Sequence, residues 1–176
     1  MRAGLRKFDG FWNKDILTDA LISWNTPVTT ASSVRTTHID NGDKLYSGLF
    51  YMRPADYNAI GDLTISRFKE SYKTPDERHA LFDGPYVDDS HVDHLKTVHY
   101  DKNSAVLFIN SLESLHGVTV RQPSDQSRLF MNLVGDIDLP LYKVEGNGTP
   151  AAYLKNGELR RPKASLKKRL RSLLHL

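Results

Sequence analysis

Thr36-Thr37-His38-Ile39-Asp40-Asn41-Gly42-Asp43, running straight into Lys44-Leu45-Tyr46-Ser47-Gly48-Leu49-Phe50-Tyr51-Met52-Arg53, is the stretch on which the fold turns. Its second half is rich in aromatic and aliphatic residues and reads as a buried strand. In its first half, His38 and Asp40 stand two residues apart. On an extended chain, alternate side chains point to the same side, so both can reach one point in space. Further strands follow at short intervals. A glycine opens Gly61-Asp62-Leu63-Thr64-Ile65, and Thr97-Val98-His99-Tyr100 is separated by a tight Asp101-Lys102-Asn103 turn from Ser104 to Asn110. His116-Gly117-Val118-Thr119-Val120 comes next, and a Pro123-Ser124-Asp125 turn leads to Ser127 to Val134. The expected strands are 45–53, 62–67, 95–100, 104–109, 116–121 and 127–134, a mainly β chain. Only two helices are expected, over 12–22 and 164–174.

Seventy-six residues separate Asp40 from His116. Two imidazoles and one carboxylate, with the remaining positions open, form the facial ligand set of non-haem Fe(II) oxygenases. His38 and Asp40 also fit an exposed polar turn, and His116 beside a glycine also fits a packing histidine. The order of elements around them favours ligation. A second pair, His91-Val92-Asp93-His94, has the same spacing but is followed by no long apolar strand; it reads as a solvated loop near a pocket rim.

This order resembles the 2-oxoglutarate/Fe(II)-dependent oxygenase superfamily, in its prolyl-hydroxylase-like branch. The shared features are metal His-x-Asp, strand, glycine-led strand, an apolar strand ending in Phe108-Ile109-Asn110, metal His, then a hairpin carrying a basic residue. The resemblance covers about Arg35 to Val134. It implies a double-stranded β-helix (jelly roll) of two antiparallel sheets with a few flanking helices. It also implies Fe(II) on His38, Asp40 and His116, with 2-oxoglutarate as cosubstrate, O2 as oxidant and ascorbate as an accessory reductant. The activity implied is hydroxylation with decarboxylation of 2-oxoglutarate to succinate, because relatives that halogenate have a small residue in place of Asp40. Arg128 would hold the distal carboxylate, for which a planar guanidinium offers a two-pronged match. Relatives often place a hydroxyl two residues later; here that residue is Phe130, so Tyr46, Ser47 or Tyr51 would supply the hydrogen bond. A hairpin turning near Pro123 would put 116, 118 and 120 on one face and let His116 and Arg128 share a cavity. Arg121 competes with Arg128, but its parity in such a hairpin turns it away. The alternative from another class is a non-catalytic β-helix serving as a binding or assembly module without iron.

With 176 residues the chain can bury a sizeable core as one domain, and it has no cysteine for disulfides or thiolate ligands. No apolar run approaches the ~20 residues needed to span a bilayer, and the start lacks a secretory apolar core, so the expectation is a cytoplasmic protein. Its net charge of +3 is unevenly distributed: residues 155–176 carry +7 and the rest −4. This divides the chain into a domain over 1–154 and a basic tail over 155–176. The tail places Leu166, Leu170, Leu173 and Leu174 on one helical face, suited to packing on the domain, to an anionic membrane surface or to an acidic partner. Nucleic acid is disfavoured, and homo-oligomerisation stays open. The resemblance implies that the charged insertion over 69–93 borders the substrate mouth as a lid, where a small molecule or peptide would enter; an inert surface excursion fits the stretch equally well. No motif names that substrate.

Overall fold

The structure, a computed structural model, describes residues 16–33, 35–57, 61–137, 139–155 and 158–159. Among the described residues, twelve strands and one α-helix succeed each other as β1 (Ile16–Asn25), β2 (Lys44–Tyr51), β3 (Leu63–Phe68), α1 (Pro75–His79), β4 (Phe82–Asp83), β5 (Tyr86–Val87), β6 (Val92–Val98), β7 (Ala105–Ile109), β8 (His116–Val118), β9 (Arg128–Ile137), β10 (Tyr142–Lys143), β11 (Ala152–Lys155) and β12 (Glu158–Leu159). They form several antiparallel sheets, of which two matter most here: β1-β9-β2-β7 and β6-β3-β8. The mainly β expectation holds, and β2, β3, β6, β7 and β9 fall close to strands read from sequence; β8 starts as read but ends early, and β4 and β5 lie in the 69–93 insertion, where no strand was expected.

The helix expected over 12–22 is not formed where it is described: Ile16 to Asn25 is a strand. Every residue of β1 finds a partner on β9, from Ile16 opposite Ile137 to Asn25 opposite Arg128. The apolar spacing of Ile16, Leu17, Ala20 and Leu21 fits a helix turn as well. Ten residues of ladder against a long neighbouring strand outweigh that local preference. The helix expected over 164–174 lies outside the described residues.

The hairpin expected around Pro123 is also absent. β8 stops at Val118 and pairs with β3, whereas β9 lies between β1 and β2, so the chain crosses from one sheet to the other between them. The alternation predicted over 116–121 therefore ends early, and Val120 is exposed while Arg121 is among the most buried side chains. The inner faces of the two sheets share a core of Tyr51, Tyr57, Leu63 and Tyr100, with Leu49, Ile65, Val98, Val106 and Phe130 packed against it.

A second core lies beneath the ligand segment. Ile39, Phe68, Phe82, Val87, Leu112, Leu115, Tyr142 and Ala151 form it, drawing on the 69–93 insertion and on strands near the C-terminal end. The insertion is therefore structured. α1 begins with a capping box, in which the Thr74 hydroxyl accepts from the Glu77 amide and the Glu77 carboxylate accepts from the Thr74 amide. β11 and β12 pair across the expected 154/155 boundary, so the folded unit extends past it. Gly42 is where β10 approaches closely: a Cβ there would sit 2.1 Å from the Tyr142 carbonyl oxygen, so only glycine fits.

Alternation along the larger sheet sends Ser47, Leu49 and Tyr51 inward and Tyr46, Gly48 and Phe50 outward. The outer face is notably apolar. Ile22 and Trp24 on β1 and Leu107 and Ile109 on β7 are each 64–69% exposed. Among the described residues, no helix is long and apolar enough to cross a membrane.

Candidate metal centre

The His38-Ile39-Asp40 segment works by alternation. Ile39 is 1% exposed and anchors in the second core, which turns His38 and Asp40 to the opposite side. Backbone pairing fixes the segment on both flanks. His38 exchanges amide–carbonyl hydrogen bonds with His116 at 2.8 and 2.9 Å, and the Ile39 amide donates to Pro85 at 3.0 Å. His38 is thus held directly opposite His116, although 78 residues separate them in sequence. One nitrogen from each histidine and an Asp40 oxygen all lie within 4.8 Å of one another. The two imidazole rings stand 4.4 Å apart between centroids.

Both imidazoles are set as ligands. His38 Nδ1 lies 2.8 Å from the Thr36 carbonyl oxygen and His116 Nδ1 lies 2.9 Å from that of Ser114. A carbonyl can only accept, so each Nδ1 carries the proton and each Nε2 presents a lone pair. Burial, followed by the neighbouring His116, lowers the pKa of His38 from 6.5 to about 4, and burial lowers that of His116 as well. Asp40 moves the other way in charge. Burial raises its pKa, but the Ser47 hydroxyl and the Lys44 ammonium outweigh this and the net shift is downward. At neutral pH the donor set is two neutral imidazoles and one carboxylate, which suits a divalent cation.

Ser47 supports Asp40, a role that the sequence reading did not single out. Its hydroxyl donates to Asp40 Oδ2, and it accepts from Asn110 Nδ2 at 3.0 Å. The relay runs across the inner face from Asn110, just after β7, through β2 to Asp40. Tyr142 adds a hydrogen bond from its hydroxyl to the Asp40 carbonyl oxygen, 2.7 Å. The signal available was parity, since Ser47 is the inward neighbour of Tyr51. Two cations complete the surroundings: Arg35 Nη1 is 3.3 Å from His38 Nε2 and 3.9 Å from Asp40 Oδ1, and Lys44 Nζ is 3.7 Å from Asp40 Oδ1.

Farther along the same inner face lies a buried guanidinium. Arg128 is 4% exposed, and its guanidinium carbon lies 4.4 Å from the Tyr100 ring centroid and 5.2 Å from that of Tyr51. Arg128 Nε and the Tyr51 hydroxyl are both buried without a hydrogen-bond partner. Burial lowers the arginine's pKa and raises that of Tyr51. A carboxylate placed there would satisfy both groups, and the donor set of the triad fits a divalent ion, so metal and a dicarboxylate cosubstrate are both compatible with these residues.

Tyr46 does not face this interior. It lies on the outer face, where its ring covers Gly135 on the paired strand. Tyr51, one of the three hydroxyls considered, is the one that meets Arg128. Arg121, which parity was expected to turn away from this site, is buried close to it. It is 2% exposed, donates to the Thr26 carbonyl at 3.2 Å and packs its stem against Gly61. Gly61 has φ +148° and leaves 2.8 Å between a notional Cβ and Arg121 Cγ, which is why glycine opens β3. His91, Asp93 and His94 sit at the start of β6 and its preceding turn rather than in a loop, bonded respectively to Tyr72, Arg67 and Thr97, and none joins the triad. The insertion does border the site: Tyr86 on β5 is 43% exposed and its ring lies 6.1 Å from that of His38.

The depressed histidine pKa values set a stability trend with pH. A group protonated less readily when folded contributes stability above its unfolded pKa, and that contribution is lost as pH falls toward its folded pKa. For His38 this window runs from 6.5 down to about 4. At ~1.4 kcal/mol per unit, the loss is on the order of 3 kcal/mol. Denaturant melts of metal-free protein between pH 7 and 4 should show that loss, and the His38→Gln variant should show much less of it. Parallel pH profiles for the two proteins would contradict it.

A scan against protein-family models gives no match, and neither do comparisons with curated proteins and with solved structures.

Proposed function

We propose that the chain is an Fe(II)/2-oxoglutarate-dependent dioxygenase that hydroxylates its substrate, built as a double-stranded β-helix from the β1-β9-β2-β7 and β6-β3-β8 sheets. The observation that carries this reading is the pairing of two features in one interior. One is a neutral, neutral, anionic donor triad; the other is a buried guanidinium facing aromatic rings with an unsatisfied Nε. A metal site alone suits many proteins. A metal site with a separate buried arginine on the same inner face suits a cosubstrate held at both ends.

Fe(II) with 2-oxoglutarate and O2 supplies the oxidising chemistry when bound, the cosubstrate leaving as succinate and carbon dioxide. The chain's own residues hold and orient. His38 and His116 offer Nε2 because Thr36 and Ser114 hold each Nδ1 proton. Ser47 and Asn110 keep the Asp40 carboxylate turned toward the imidazoles. Arg128, stacked by Tyr100 and adjoined by the Tyr51 hydroxyl, takes the distal carboxylate. Phe108, whose ring lies 4.7 Å from that of His116, keeps water from one flank of the ligands.

Anaerobic titration of the protein with Fe(II) and then 2-oxoglutarate tests this directly. A visible metal-to-ligand charge-transfer band is expected, developing only when both are present. Its absence, with a folded protein, would remove the oxygenase reading and leave the β-helix binding module.

A further inference from the structure

Arg35 occupies an odd place for a positive charge. Its guanidinium points at His38 Nε2, the lone pair that a metal requires, and at Asp40 Oδ1. Its backbone is pinned, the carbonyl accepting from the Val118 amide at 2.9 Å and from the Ser33 hydroxyl at 3.1 Å. Its side chain is 54% exposed, so it reaches the triad from the solvent side and can withdraw there. Lys44 brings a second cation to the same Asp40 oxygen from a side chain 28% exposed. A divalent ion entering the triad would take Asp40 for itself and repel both cations, because like charges a few ångströms apart repel strongly at the dielectric of a protein surface. 2-oxoglutarate would meet this need only in part, since its distal carboxylate would go to Arg128. Arg35 and Lys44 would be left with no anion to face.

We propose that the substrate carries a carboxylate, and that Arg35, assisted by the charge of Lys44, is the residue that seats it beside the metal. This rests on the oxygenase reading above and names the substrate class for that site. Arginine suits the task because its planar fork matches a carboxylate with two parallel hydrogen bonds. The insertion adds Tyr86, half-exposed and close to the His38 ring.

The test uses Mn(II) as the metal and acetate as the probe. With Mn(II) and saturating 2-oxoglutarate bound to the full chain, paramagnetic broadening of the acetate methyl resonance reports how often the anion sits near the ion. Acetate is expected to broaden at least ~5-fold more than acetamide, its neutral counterpart, given the charge-assisted pair only acetate can form. Arg35→Gln should abolish the difference and Arg35→Lys should retain part of it. In the absence of 2-oxoglutarate, Arg35→Gln should also raise Mn(II) affinity ~3- to 10-fold, since it removes a cation from beside the ligands. A merely supporting arginine would give the opposite sign. Equal broadening in wild type and Arg35→Gln would show acetate on the metal itself and overturn the proposal while leaving the oxygenase reading standing. Failure of wild type to bind Mn(II) at all would overturn both.

Discussion

Replacing Asp40 with alanine is expected to lower divalent-metal affinity by at least ~100-fold and to abolish coupled turnover. The argument is one of charge. The wild-type triad offers two neutral imidazoles and one carboxylate, and that carboxylate is the charge that offsets the metal. Its loss leaves the ion facing Arg35 and Lys44 with nothing to balance them. Removing a charged partner from a buried site commonly costs about 3–5 kcal/mol, which corresponds to two or more decades of affinity. The fold should survive, because Ile39 rather than Asp40 anchors the segment in the core. Mn(II) titration followed by electron paramagnetic resonance measures the affinity, and circular dichroism checks the fold. Metal binding retained within ~3-fold would mean that the three residues are not the site, whatever their proximity.

How much of this was visible in sequence depends on the range of the interaction involved. The triad was legible because one apolar residue between two donors on an extended chain is a local pattern, and Ile39 does what that pattern demands. Strands β2, β3 and β6 to β9 were legible for the same reason, being apolar runs closed by turns. β1 was not, since its spacing satisfies helix and strand alike and the decision belongs to β9, which lies more than a hundred residues away. β4, β5 and β10 to β12 were missed because two- to four-residue strands carry little periodicity; the sheet of β10 to β12 is held by pairing, and Tyr142 by burial. The exclusion of Tyr46 required the parity of β2 relative to Ser47. That parity could have been read once Asp40 was taken as the neighbour of Ser47. Arg121 shows the limit of parity: alternation is a property of a strand, and β8 has ended three residues before it.

That limit changes what the two arginines should do when removed. Arg128→Gln is expected to raise the 2-oxoglutarate requirement by two or more orders of magnitude with Mn(II) or Fe(II) affinity nearly unchanged. The guanidinium is 4% exposed, stacked on Tyr100 and Tyr51, and has an Nε with no partner, so a carboxylate arriving there gains a desolvated, charge-assisted pair. Losing one side of such a pair costs about 3–5 kcal/mol. Arg128→Lys keeps the charge but not the fork, and should recover only part of the affinity. Arg121 was expected from parity to be inert. Its burial against Gly61 and its bond to the Thr26 carbonyl predict instead that Arg121→Ala destabilises the fold, by ~1–3 kcal/mol for a stranded acceptor and a lost stem, and affects cosubstrate affinity far less. Titrating the charge-transfer band with 2-oxoglutarate in both variants, alongside thermal melts, separates the two roles. Should Arg121→Ala lose the band while Arg128→Gln keeps it, the cosubstrate would lie along the Gly61 side of the cavity and Arg128 would be a core cation held by its aromatic neighbours.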